Sequence, residues 1–280
     1  MADLTAIILT KNEELNIRDC ISSIKPIAKR VIVIDSGSTD KTVEIAREMG
    51  AETCYHEWVN HAKQFLYGLN EMQIDTTWVL RIDADERLTE ASRKELEELC
   101  EANMDTDVNG IILRFEVAFL GKKLRHGGIY PFCKLQCFKY GKGTIEDRNM
   151  DEHIYLLEGR SVMMKEDSEH HDYKDLTYFI AKHNNYSSLE LMDYVRNLRA
   201  RSENGKQLDQ TAGLKRWIKF HIYYKLPMGF RAHLYYWYRY YWKLGFLDGK
   251  EGKIYAFLQA YWYRYLVDAK IYEWQKGQKD

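Results

Sequence analysis

The first 85 residues alternate between short apolar, largely β-branched runs and stretches whose apolar residues recur at helical spacing. Residues 4–10, 31–34, 52–55 and 78–82 read as strands, and the most apolar of them have the near-continuous character of strands buried on both faces. Between them, Ile17, Cys20, Ile21 and Ile24 predict a helix closed by Pro26. Val43, Ile45, Ala46 and Met49 predict a second helix, and residues 60–72 a third. A β-α-β-α-β-α-β order implies a parallel, three-layer α/β sheet. Beyond it the pattern predicts a helix over 89–102, strands over 110–120 and 134–139, and helices over 175–204 and 254–274.

In such a sheet, ligands sit outside the carboxyl ends of the strands. The run at 78–82, interrupted only by Arg81, ends in Asp83-Ala84-Asp85-Glu86. In an extended segment Asp83 and Asp85 project the same way while Ala84 points back. Two such carboxylates suit a hard cation, Mg²⁺ or Mn²⁺, shared with the phosphates of a substrate. The competing reading is that these acids only cap the helix starting near Thr89. A second strand ends in Asp35-Ser36-Gly37-Ser38-Thr39-Asp40, where Asp35 either accepts hydrogen bonds from a base or ribose or caps its own loop. Neither a Gly-x-Gly-x-x-Gly fingerprint nor a Walker loop is present, so a nucleotide would be held by another scheme.

Leu9-Thr10-Lys11-Asn12-Glu13-Glu14, the Asp35–Asp40 loop and Arg81-Ile82-Asp83-Ala84-Asp85-Glu86 together resemble the family 2 glycosyltransferases of the GT-A fold. The likeness is to the subgroup containing the lipopolysaccharide core β-1,4-glucosyltransferase and enzymes that build exopolysaccharides. It implies a Rossmann-like, mainly parallel sheet flanked by helices, a nucleotide-sugar donor, usually UDP-linked, and an inverting hexosyl transfer assisted by Mg²⁺ or Mn²⁺. The implied acceptor is a lipid-linked or lipopolysaccharide glycan. Carried over by position, Thr10, Glu13, Asp35 and Lys63 line the nucleoside pocket, Asp83 lies near the ribose and metal, and Asp85 holds the metal. Two departures are Thr10-Lys11, where many members have Pro-x-Tyr, and Gln136, where an Arg often stands. The stretch 147–153 aligns with the motif supplying the family's catalytic base, which falls on Glu152 with Asp151 in reserve. A late His completes the metal site in many GT-A enzymes, which points to His171; a surface His pair is the alternative. The basic, glycine-bearing loop 121–131 offers His126 and Tyr130 to a sugar, or is a solvated hairpin connection.

Composition changes the picture mainly at the C-terminal end. The 280 residues include 21 Tyr and 7 Trp, crowded towards that end. Between 212 and 247 lie seven basic residues and no acid, leaving the rest of the chain at −8 against an overall −1. Cations among Trp and Tyr suit an anionic membrane surface; the alternative is a packed helical core or subunit contact, and nucleic acid is the poorer fit. The expected division is 1–172 catalytic and 173–280 helical. Five scattered cysteines without a Cys-x-x-Cys pair, no signal-peptide pattern and no long apolar run predict a cytoplasmic protein, and the resemblance together with the basic aromatic stretch implies one lying peripherally on the inner membrane. A homo-oligomer is compatible with this. The rival functions are a sugar-phosphate nucleotidyltransferase and a non-catalytic membrane-docked scaffold.

Overall fold

The computed structural model describes residues 1–146, 152–203, 227 and 229–278. The chain divides into two compact units, Met1–Lys123 with Ile129–Lys174, and Leu124–Gly128 with Asp175–Asp280.

The first unit opens with β1 (Ala2–Thr10), α1 (Ile17–Ile24), β2 (Ala28–Asp35), α2 (Thr42–Glu48), β3 (Glu52–Tyr55), α3 (His61–Glu71) and β4 (Trp78–Asp83). The short β5 (Glu86–Arg87), α4 (Glu90–Ala102), β6 (Val108–Phe119), β7 (Lys122–Leu124) and β8 (Phe132–Lys139) follow, then β9 (Gly143–Ile145), β10 (Ile154–Leu156) and β11 (Arg160–His170). The main sheet runs β3-β2-β1-β4-β8-β6-β11-β5, with β7 on β6. Its first four strands are parallel, β8 is antiparallel to both neighbours, and β11 is parallel to β6. This is the α/β arrangement expected of a GT-A chain.

β1, β2 and β4 are buried on both faces along most of their length, as their unbroken apolar runs require. Leu4, Ala6, Ile8, Trp78, Leu80 and Ile82 point to one side, against Ile17 and Ile21 of α1 and Leu96 of α4. Ile7, Leu9, Ile32, Ile34 and Val79 point to the other, against Phe65 of α3. The side chain of Asn60 caps α3 by accepting from the Lys63 amide at 2.8 Å, and Thr89 and Ser92 form a reciprocal capping box on α4.

β11 escapes hydrophobic patterning because polar contacts hold it. The register slips between Met163 and Asp167, and the Lys165 and Glu166 amides are taken up by the Glu95 carboxylate of α4 at 2.8–3.0 Å. Thr89 donates to the Asp167 carbonyl at 2.9 Å, and Ser168 to Ser92 at 3.1 Å. A strand anchored in this way needs little alternation of apolar residues.

Asp3 ties the amino ends of three strands, accepting from Lys29 and from both the amide and hydroxyl of Thr77. These hydrogen bonds, that from Lys29 first, lower its carboxyl to about 2 from 3.8. A depressed carboxyl stabilises the fold above its unfolded value and loses that contribution as pH falls through its folded one. Asp3→Asn is therefore expected to cost about 1 kcal/mol near neutrality after allowance for solvent screening. The cost should shrink towards pH 2, which thermal melts over that range would measure.

The second unit contains α5 (Leu176–Glu203), α6 (Phe230–Trp237), α7 (Gly249–Ala256) and α8 (Tyr263–Gly277), with π-helical turns at Tyr238–Trp242 and Phe257–Trp262. Tyr194, Tyr263, Val267 and Ile271 form its core, and a buried ion pair joins Arg231 to Asp268. Among the described residues no helix is long and apolar enough to cross a membrane. All five cysteines are free.

Candidate active site

The strand ends form one line. Thr10 sits opposite Asp35 and Leu9 opposite Asp83, so β1, β2 and β4 finish level. The Thr10 hydroxyl donates to Asp35 at 3.1 Å, and the other Asp35 oxygen accepts from the amides of Gly37 and Ser38 at 2.9 and 2.8 Å. Ser38 also donates its hydroxyl to Asp35. Gly37 has φ 91°, a conformation that a side chain would strain, so the loop needs glycine there. Asp35 thus shapes the Ser36–Asp40 loop with its own carboxylate, and anything further it binds must share those oxygens.

Alternation along β4 puts Trp78, Leu80 and Ile82 into the core and aims Arg81 and Asp83 to the opposite side. Arg81 is buried, its guanidinium 5.8 Å from the Phe65 ring centroid. One of its nitrogens donates to Glu152 at 3.0 Å and lies 3.6 Å from Asp83. One cation therefore joins carboxylates 69 positions apart in the chain. Lys134 approaches Asp83 from β8 at 3.5 Å. Burial acts to raise the Asp83 carboxyl, but Arg81 and Lys134 outweigh it and hold it at about 2.

Beneath them, Glu86 is fully buried and accepts from Lys134 and Gln136 at 2.8 Å and from the Asp83 amide at 3.0 Å. Burial acts to lower the Lys134 amine, but Glu86 and Asp83 prevail and leave it raised. Gln136 braces the turn after β4 through Glu86.

That turn corrects the extended geometry expected of Asp83-Ala84-Asp85. The chain bends at Ala84 and Asp85, Ala84 packs into the core, and the two aspartates serve different partners. Asp85 meets His170, whose Nε2 lies 3.3 Å from its carboxylate. Burial lowers the His170 imidazole, and Asp85 overrides it, so the ring titrates above its usual value. The late His brought to Asp85 is thus His170, where His171 was expected. His171 lies past the end of β11 with its ring against Tyr173 at 4.7 Å, its carbonyl held by Arg87 at 2.8 Å. Burial and Arg87 lower its pKa.

No group of three or more His, Cys, Asp or Glu is arranged to hold a metal among the described residues. Asp85 with His170 does supply an oxygen and a nitrogen donor, and the His170 Nδ1 is buried without a hydrogen-bond partner. Mg²⁺ and its relatives commonly take one or two protein ligands and complete their shell with phosphate and water, so the pair fits such an ion.

Glu13 accepts from Asn16 at 2.9 Å and Lys174 at 2.6 Å, and burial, opposed by these partners, raises its carboxyl. Lys63 stands exposed in the first turn of α3. Asp151 lies outside the described residues. Tyr130 is engaged with Asp167 at 2.7 Å and Arg114 at 3.2 Å. In the other unit, His126 is held by Asp248 at 2.8 Å. Sequence reasoning gave Lys134 and Glu86 no place in this cluster and chose His171 over its neighbour His170. Arg81 carried a visible signal, a charge inside an otherwise apolar strand.

A sequence model described as Glycosyl transferase family 2 matches residues 5–169. An uncharacterized glycosyltransferase of Rickettsia bellii is 43% identical over 34% of this chain, a match spanning 31% of that relative's length. The lipopolysaccharide core biosynthesis glycosyltransferase LpsC of Rhizobium meliloti is 27% identical over 96% of this chain and 92% of its own. Glucosyl-3-phosphoglycerate synthase from Mycobacterium tuberculosis, solved with Mn²⁺ and UDP, aligns at a TM-score of 0.34 and 20% identity, covering 42% of this chain and 44% of that one. A structural likeness that weak has no bearing on function.

Proposed function

Since the chain belongs to glycosyl transferase family 2, we propose that it is an inverting, metal-dependent hexosyltransferase using a nucleotide-sugar donor, UDP-linked, and a lipid-anchored or lipopolysaccharide glycan acceptor. The observation that carries this reading is the Arg81 bridge, which sets Glu152 beside Asp83 at the end of β4.

In this reading Thr10, Glu13, Asp35 and Lys63 receive the nucleoside, and Asp83 faces its ribose. Asp85 and His170 would hold Mg²⁺ or Mn²⁺, whose charge offsets that of the departing diphosphate. Glu152 takes the proton of the acceptor hydroxyl as that oxygen bonds to the sugar's anomeric carbon and the carbon–phosphate-oxygen bond breaks. Attack from the face opposite the leaving group inverts the configuration, so an α-linked donor gives a β-linked product. Arg81 and Lys134 keep fixed positive charge beside the carboxylates throughout, without reorganisation. Peripheral attachment at the cytoplasmic face of the inner membrane would bring such an enzyme to its acceptor.

Incubating the full chain with UDP-, GDP- and dTDP-sugars, with and without Mn²⁺, tests the proposal. Release of nucleoside diphosphate that requires the metal is expected. Formation of nucleoside triphosphate and sugar phosphate once pyrophosphate is added, with no diphosphate released in its absence, would replace the reading with a nucleotidyltransferase. Binding without any turnover would make the site a degenerate one.

A further inference from the structure

We infer that the exposed face of α6, with the turn that follows it, is a docking surface for an anionic lipid bilayer. The inference deepens the proposed function and rests on it for one point, that the acceptor is lipid-anchored.

Phe230, Leu234, Trp237 and Tyr241 recur at i, i+4, i+7 and i+11, which is one side of a helix. They are 50%, 48%, 54% and 50% exposed, and Trp242 beside them is 70% exposed. A soluble helix points such a stripe into a core. Here the inward side is already filled, by Ala232 and by Arg231, whose buried ion pair with Asp268 fixes the rotation of the helix. The stripe is therefore held outwards, with Arg231 and Ala232 forming the buried side of the helix. Leu247, 54% exposed, extends it into the turn before α7.

Charge and ring chemistry select the occupant. Arg239 and Lys243 lie in the turn beside the stripe, and the sequence has no Asp or Glu from 229 to 247, so a second copy meeting this face about a two-fold axis would set like charges against each other. Lipid phosphates complement that charge, and Trp and Tyr, apolar with one polar edge, are the side chains enriched at the headgroup level of a bilayer. With no spanning helix among the described residues, this face would lie in the interface, apolar side down.

The test is co-sedimentation of the full chain with phosphatidylcholine vesicles with and without phosphatidylglycerol, run beside Trp237→Glu/Trp242→Glu. Binding that needs phosphatidylglycerol and falls about tenfold or more in the double variant is expected. Nucleoside-diphosphate release from a soluble donor should be unchanged in the variant. Equal binding by the two proteins, or binding indifferent to phosphatidylglycerol, overturns the inference. So does a dimer in light scattering that the double variant splits, with no vesicle binding, because the face then belongs to a second copy. If the double variant does not fold, Leu247→Glu, at an exposed position, carries the same comparison. Vesicle binding that persists in a protein without donor turnover would sink the catalytic reading and leave the docking surface standing.

Discussion

Asp85→Ala should reduce sugar transfer by about 10³-fold or more, the scale of losing the main electrostatic support of a departing diphosphate. The partner of Asp85 makes this prediction selective. His170→Ala should weaken Mn²⁺ binding in the presence of nucleoside diphosphate by about tenfold or more, since it removes either a ligand or the group that orients one. His171→Ala should leave that affinity unchanged, because its ring is occupied with Tyr173. Titration calorimetry of Mn²⁺ into each nucleotide-bound variant reads this directly. Normal metal affinity in both His170→Ala and Asp85→Ala would place the cation elsewhere.

Glu152→Gln is the second large effect. It keeps an oxygen for Arg81 to bond, so the fold and the donor KM should hold, while kcat falls by about 10²–10⁴-fold through loss of the proton acceptor. Arg81→Met is its structural counterpart. That change leaves Glu152 without its buried cation and Asp83 with Lys134 alone, and is expected to destabilise the protein by about 3–5 kcal/mol. A kcat in Glu152→Gln within error of the wild type would move the base to another residue, with Asp151 the next to examine.

The parallel half of the sheet was legible because β1, β2 and β4 are buried on both faces and its helices carry apolar stripes, the first closed by Pro26. The level strand ends at Thr10, Asp35 and Asp83 follow from that alternation. What escaped has a common physical origin in polar contacts across long sequence separations. β11 is stitched to α4 through Glu95, Thr89 and Ser92, and its amphipathic period is too weak to announce a strand. Choosing His170 over His171 required the register of β11 against Glu86, and hence the strand itself. The separate roles of Asp83 and Asp85 required the turn at Ala84, which the brace from Glu86, Lys134 and Gln136 imposes from the tertiary side. Arg81 stood in plain view as a charge within a buried run, but its partner lay 71 residues away.

The late arrival of β11 also matters while the protein is being made. When the ribosome has released β6, the flank that will receive β11 still shows unpaired amides and carbonyls beside Ile111, Leu113 and Phe115. About 50 further residues separate the end of β6 from His170 at the end of β11, so at ordinary elongation rates that flank stays open for roughly 3–10 seconds. An open apolar edge is a template for pairing with a neighbouring chain. Nascent chains crowded on one messenger, or fragments cut short before Arg160, are accordingly the species most prone to aggregate, and His170 reaches its place only as that window closes.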